Sequence, residues 1–405
     1  MTRRQFGELV VRLGAAAALP SSAVASAQGS PPSTPAPRDQ QAIENCLQLI
    51  RNCQRPDGAF NMRLEREPSA DEDRQQAITD GEDPAAVPVD TIRVVPYFAN
   101  HSALALLSGH RHSARNLDDV KRAAGWIAFY AREQDATSGF ITDYKGSRRR
   151  GTFFSTGQMD SVDAYASTFL QVAERYWAEA SALSPVERQE LAAALPPGTL
   201  VQAARLALRA IESVTDHDGL TWARPDYRVK FLLDNTEVYG GLRAAESLFA
   251  SVGARPETAR SQQIARRLGP ALERFWQKAR QRFAWAITAD GAQQDGFTAG
   301  YPHALANLGG LAWISGGPRA LWDELKNRFT PDVHVPVERW VMAAIGVGDA
   351  DVGAWRQRAV DEAARCTART NGQRTALLAL VLCEGRSWMR SVAEERSRSA
   401  PTGRR

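Results

Sequence analysis

The chain has 405 residues, 43% hydrophobic and 24% charged, with four cysteines and a formal net charge of +4. That length and apolar share allow a sizeable core, in one large domain or two smaller ones. The net charge misleads about partners: residues 1–27 hold three Arg and one Glu and residues 386–405 six Arg and two Glu, so the body between is near −2 and offers no basic face to nucleic acid.

The chain opens as an export signal. Thr2-Arg3-Arg4-Gln5-Phe6 matches the twin-arginine pattern, Leu9 to Leu19 is a short apolar stretch, and Ala25-Ser26-Ala27 is a small-residue cleavage site. The apolar stretch falls well short of the ~20 residues a membrane span needs. Residues 1–27 are therefore predicted to be removed, leaving a soluble product in the periplasm or outside the cell. Residues 28–38, QGSPPSTPAPR, read as a Pro/Ser-rich spacer, and 385–405 as a disordered basic tail.

Between them, residues 39–384 read as one all-α domain. Apolar residues recur at three- and four-residue intervals, and alternating β-branched runs are nearly absent. The periodic stretches predict helices at 39–54, 91–109, 115–133, 160–182, 198–214, 234–252, 257–278, 299–315, 318–328, 336–347, 352–367 and 373–384. Several end in a short glycine-containing segment with an aromatic, as in Asp57-Gly58-Ala59-Phe60, Ser138-Gly139-Phe140 and Asp218-Gly219-Leu220-Thr221-Trp222. The helices that follow start with an acid and carry a tyrosine about one turn in: Asp90 with Tyr97, Asp160 with Tyr165, Asp234 with Tyr239, Asp295 with Tyr301. Such self-similarity marks helical hairpins that bury their apolar faces only against their neighbours. Closing six of them makes an (α/α)6 toroid; an open superhelix is the rival. The expected inner helices are 39–54, 91–109, 160–182, 234–252, 299–315 and either 336–347 or 373–384.

Cys46 and Cys53 are seven residues apart on one predicted helix, about 10 Å along it, too far to bond each other. A disulfide between the first and last helices and four buried thiols are both compatible with the spacing.

The segments VDTIRVVPYFANHSALALL (89–107), MDSVDAYASTFLQVAERYW (159–177) and FLLDNTEVYGGLRAAESLF (231–249) resemble the six-hairpin glycosidase superfamily. Asp90-Thr91-Ile92-Arg93-Val94 also resembles the stretch bearing the general base in cellulase-like members, although it lies much nearer the N-terminus. The resemblance implies a funnel at the inner-helix starts, in which acids do the chemistry and aromatics hold sugar rings. It implies a glycoside hydrolase acting on carbohydrate with no metal or organic cofactor; a monomer is expected, and with no other segment long and apolar enough to cross a bilayer, no stable membrane insertion after signal removal. A polysaccharide lyase using Tyr97, Tyr165, Asn100 or His101, and a non-catalytic glycan-binding protein, are the rivals.

Glycoside hydrolysis takes a protonated carboxyl at the leaving oxygen and a carboxylate that acts as base or nucleophile. Five acids qualify by position: Asp90, Asp160, Asp163, Asp234 and Glu237. The pairs Asp160/Asp163 and Asp234/Glu237 also have the spacing of a capping box, a purely structural role. Expected sugar contacts are Arg93, Tyr97, Asn100, Tyr165, Trp222, Asn235, Tyr239, Tyr301 and His303, with Trp285, Trp313, Trp340 and Asn307 as further platforms or hydroxyl partners; each aromatic has a core alternative.

Overall fold

The computed structural model describes residues 37–62, 91–110, 116–147, 151–314, 318–331, 335–367, 370, 372–385 and 388. The predicted signal at 1–27, all of the spacer but Pro37 and Arg38, Asp90 and most of the predicted tail lie outside them.

Thirteen α-helices form among the described residues, and twelve of them alternate between two concentric rings. The outer ring is α1 (Pro37–Asn52), α3 (Asn116–Glu133), α6 (Pro197–Val214), α8 (Arg255–Ala271), α10 (Arg319–Arg328) and α12 (Val352–Arg365). The inner ring is α2 (Pro96–Gly109), α4 (Val162–Ala182), α7 (Leu232–Ser251), α9 (Leu305–Trp313), α11 (Val337–Val347) and α13 (Gly372–Glu384). Each inner helix packs on the next, and α13 returns to α2, so the ring closes as an (α/α)6 toroid. Composition sorts the rings. Inner α2 is buried on every side from Ala99 to Gly109, whereas outer α6 buries a single apolar stripe.

The stretch 39–54, expected inside, belongs to the outer ring, and 336–347 and 373–384 are both inner. Helix α1 closes the outer ring: Arg51 pairs with Asp119 of α3 through Nε and Nη2, both at 2.7 Å, and Asn45 donates to the Ala363 carbonyl at the far end of α12 at 2.7 Å. Cys46 sits beside this seam within hydrogen-bonding reach of Cys366, a contact that together with burial pushes its thiol well up. All four cysteines are free thiols. Trp388, inside the stretch read as tail, is buried against the rings of His101 and Trp313, so packing continues past residue 384.

Close approach needs small residues at the inner seams. A Cβ on Gly241 of α7 would lie 2.5 Å from the Ser167 carbonyl oxygen of α4. The Gly139 turn has φ of 78°, and a Cβ there would lie 2.0 Å from the Leu206 carbonyl oxygen of α6. Gly139→Ala is therefore expected to cost about 2 kcal/mol or more, read as a lowered urea midpoint at unchanged slope.

Several predicted elements change: the stretch 257–278 is α-helical only to Ala271, and Trp276 and Gln277 turn into a short strand. Residues 91–94 form strand β1 (Thr91–Val94) rather than helix, pairing with β2 (Tyr144–Ser147), which pairs in turn with β3 (Thr152–Ser155). Pro96 is the cause: it fits the first helical turn and holds Val95 in the β region, with φ of −109° and ψ of 115°. A short helix absent from the prediction, α5 (Pro185–Ala194), is set by a capping box between Ser184 and Glu187 with Pro185 at its first position. Two further small sheets join β4 (Val229–Phe231) to β7 (Ala286–Thr288) and β8 (Gln293–Gln294), and β5 (Trp276–Gln277) to β6 (Arg282–Phe283). Among the described residues no single helix is long and apolar enough to cross a membrane.

Candidate active site

All six inner helices begin at one end of the toroid, and the start of each lines a cavity of about 1510 Å³. Tyr97 and Phe98 come from α2, Tyr165 from α4, Leu233 and Asp234 from α7, Leu305 from α9, Glu338 and Arg339 from α11, and Gln373 and Arg374 from α13. Arg93 of β1 and Asp143, just before β2, line it from the loops. Six helix N-termini give this opening a positive field that favours negative charge.

Neither predicted capping box forms. The N-cap of α4 is Ser161, whose side chain accepts from Ala164 N, which leaves Asp160 outside the helix on the cavity wall. Asp234 is the third residue of α7, whose N-cap is Phe231 without a side-chain bond. Both acids are thus free of capping duty.

Ser161 organises the acids behind the wall. Its Oγ is 2.5 Å from Asp163 Oδ1 and 3.0 Å from Asp234 Oδ2, and it also accepts from Ala164 N at 3.2 Å. A hydroxyl has one proton to give, so one of the two acids must be the donor. Asp234 is that acid. Burial, then repulsion from Asp163 and Glu237, hold its carboxyl well above the usual range. Asp163 is the anion: burial raises it to about 6 against donation from Ser161, Thr221 and Ala164 N, the Thr221 Oγ1 bond being 2.6 Å. A chain Asp234 to Ser161 to Asp163 follows, in which Asp234 and Ser161 line the cavity and Asp163 lies behind them.

Glu237 lies one turn further into α7, where Tyr97 donates to its Oε1 at 2.5 Å and Oε2 has no partner. Burial raises Glu237 to about 7 against the pull of Arg339 and that bond. Tyr97 in turn is pushed well up by burial and Glu237, which disfavours it as the base of a lyase. Glu338, the second residue of α11, lines the cavity with both carboxyl oxygens buried and unpartnered among the described residues, and burial raises it to about 7. Around the ring α11 stands opposite α4, so Glu338 faces the Asp160 wall. Asp143, raised to about 6 by burial, accepts from the Tyr165 hydroxyl at 2.8 Å.

These buried acids have a consequence for stability. Glu237 and Glu338 keep their protons up to about 7 in the fold but ionise near 4.5 when unfolded. Their contribution is fully present below the unfolded value and is lost as pH rises through about 7, roughly 3 kcal/mol per group. Thermal scans should show the melting temperature falling from about pH 5 to about pH 8, and Glu338→Gln should flatten that fall.

Of the other predicted contacts, Arg93, Tyr97, Tyr165 and Tyr301 line the cavity, Tyr301 being 66% exposed. Asn100 instead ties α2 to α4 and α3, donating to the Tyr165 carbonyl and Thr168 Oγ1 and accepting from Trp126 Nε1. Asn235 clamps the preceding turn through the Thr221 backbone, and Asn307 does the same at Phe283. Tyr239 packs near Gly269, Trp222 stacks under the Lys230 ammonium, and His303 accepts from Ala299 N. His101 is buried and held neutral, its value lowered to about 3, while Trp313 and Trp340 are core. None of these lines the cavity, and neither does Trp285, which stacks on Phe231. Sequence reasoning missed Asp143, Glu338 and Arg339. The first had no periodic signal, but Pro336-Val337-Glu338 is the same helix-start-with-acid pattern used elsewhere.

The architecture is that of the (α/α)6 toroids, and solved structures of low identity share it. The mannosylglycerate hydrolase of family GH63 from Thermus thermophilus has a TM-score of 0.53 at 13% identity, over 86% of this chain and 99% of that one. An uncharacterised conserved protein of the same organism gives 0.52 at 11%, over 84% and 99%. A GH78-family rhamnosidase of Bacillus sp. GL1 gives 0.50 at 12%, over 85% of this chain but 34% of the rhamnosidase. No family model matches the chain, and no curated protein matches it by sequence.

Proposed function

We propose that the chain is an exported glycoside hydrolase acting on a poly- or oligosaccharide, with Asp234 as general acid and Glu338 as general base. The observation that carries this is one cavity shared by an acid that keeps its proton and a buried carboxyl with no partner on either oxygen among the described residues. Asp234 gives its proton to the leaving oxygen, while Glu338 takes one from a water attacking the anomeric carbon from the other face. Asp234 then regains a proton from water in the cavity, and Glu338 releases to water the one it took; Ser161 and the Asp163 anion hold the Asp234 carboxyl in place. An inverting pair stands ~6.5–9.5 Å apart; Asp234 and Glu338 start different inner helices with α9 between them, which suits a sugar ring and a water. Asp160, Asp143 and Tyr301 also line this cavity, and in this reading they take sugar hydroxyls. Neighbours named as a hydrolase and a rhamnosidase lend support at the level of fold alone. Export rests on the twin-arginine segment, and a reporter fused to residues 1–27 should reach the periplasm only when Arg3 and Arg4 are intact.

The test is incubation of the mature chain with a broad panel of bacterial and plant polysaccharides and oligosaccharides. New reducing ends without unsaturated products support the hydrolase. Unsaturated products would indicate a lyase, and binding without turnover a glycan-binding protein.

A further inference from the structure

Arg339, the third residue of α11, lines the cavity while only 5% exposed, and its Nη1 has no acceptor among the described residues. Two other arginines there have anionic partners: Arg224 bonds Asp226 and the Met159 carbonyl, and Arg374 pairs with Glu362. No carboxylate forms an ion pair with Arg339 among the described residues, although it acts electrostatically on Glu237, Glu338 and Tyr97. Burial pushes Glu237 toward neutrality and holds His101 neutral, and Glu338, the base once ionised, makes no hydrogen bond to Arg339. The guanidinium is held near the Trp313 ring, 5.4 Å from its centroid. A buried cation without an acceptor is costly, and it lies where six helix N-termini already favour an anion.

We propose that the substrate is an acidic glycan, whose carboxylate, on a uronic sugar or an acidic aglycone, docks on the Arg339 guanidinium within this cavity. The planar fork of arginine matches a carboxylate with two parallel hydrogen bonds, an arrangement a neutral sugar hydroxyl cannot reproduce. The proposal rests on the hydrolase reading only in taking this cavity as the sugar site.

Ligand-observed NMR on the mature chain tests it with D-glucuronate, D-galacturonate and D-glycerate against glucose, galactose and glycerol. At least one acid is expected to bind about tenfold or more tightly than its neutral partner. Arg339→Gln should erase that preference and leave neutral ligands unchanged, and Arg339→Lys should retain part of it. Equal binding of acids and neutrals, no binding of any acid, or a preference that survives Arg339→Gln in a variant with wild-type melting behaviour would overturn the inference. Hydrolysis of neutral glycans alone would overturn it and leave the hydrolase standing. Tight acid binding without any hydrolysis would do the reverse.

Discussion

Glu338→Gln is expected to lower turnover of the glycan substrate by about a hundred- to ten-thousandfold without unfolding the protein. The side chains are nearly isosteric, so the second position of α11 keeps its packing while losing the ability to accept a proton from water. The change also removes a buried group that destabilises the fold when it ionises, and the variant should melt higher than wild type above about pH 7. Loss of activity together with gained alkaline stability separates a catalytic role from structural damage, which would move both downwards. The pH profile gives an independent sign. A base works only when ionised, so wild-type activity should rise as pH increases through about 7, where Glu338 loses its proton. Circular dichroism, melting scans and rates across pH check all three.

Asp234→Asn should be the second severe substitution, with an effect that depends on the leaving group. A general acid matters most when the departing oxygen is a poor leaving group, as in a natural sugar linkage, and little when it is an activated phenolate. The expected loss is about a hundredfold or more on glycans and far smaller on an activated aryl glycoside of the same sugar. Ser161→Ala should fall between wild type and Asp234→Asn, because it removes the hydroxyl that holds Asp234 but leaves the Asp234 carboxyl on the cavity. A uniform loss on both substrate types would argue that Asp234 binds or positions rather than protonates.

The fold was legible from spacing because inner and outer helices bury different shares of their surface. The all-round burial of α2 and the small residues of α4 and α7 show in sequence as apolar runs and glycine pairs. Ring membership was less legible: α1 is as periodic as an inner helix, and only its ties to α3 and α12 reveal it as outer. At the site, Asp160 and Asp234 were found by counting from helix starts, and so were Asp163 and Glu237, which turned out to lie behind the wall. One residue along a helix turns a side chain by about a quarter-turn, so exact boundaries decide what faces the cavity. Capping misled for the same reason: Ser161 rather than Asp160 caps α4. Asp143 sits beside a strand in an aperiodic loop, and nothing local marks its approach to Tyr165.

The most direct measurement is mass spectrometry of products formed in heavy-oxygen water by the mature chain acting on an acidic glycan. One heavy oxygen at each new reducing end, absent with Glu338→Gln, is the expected result, since the attacking water supplies that atom. Products that lack water's oxygen and carry a new double bond would contradict the hydrolase and its assignment of Glu338 as base.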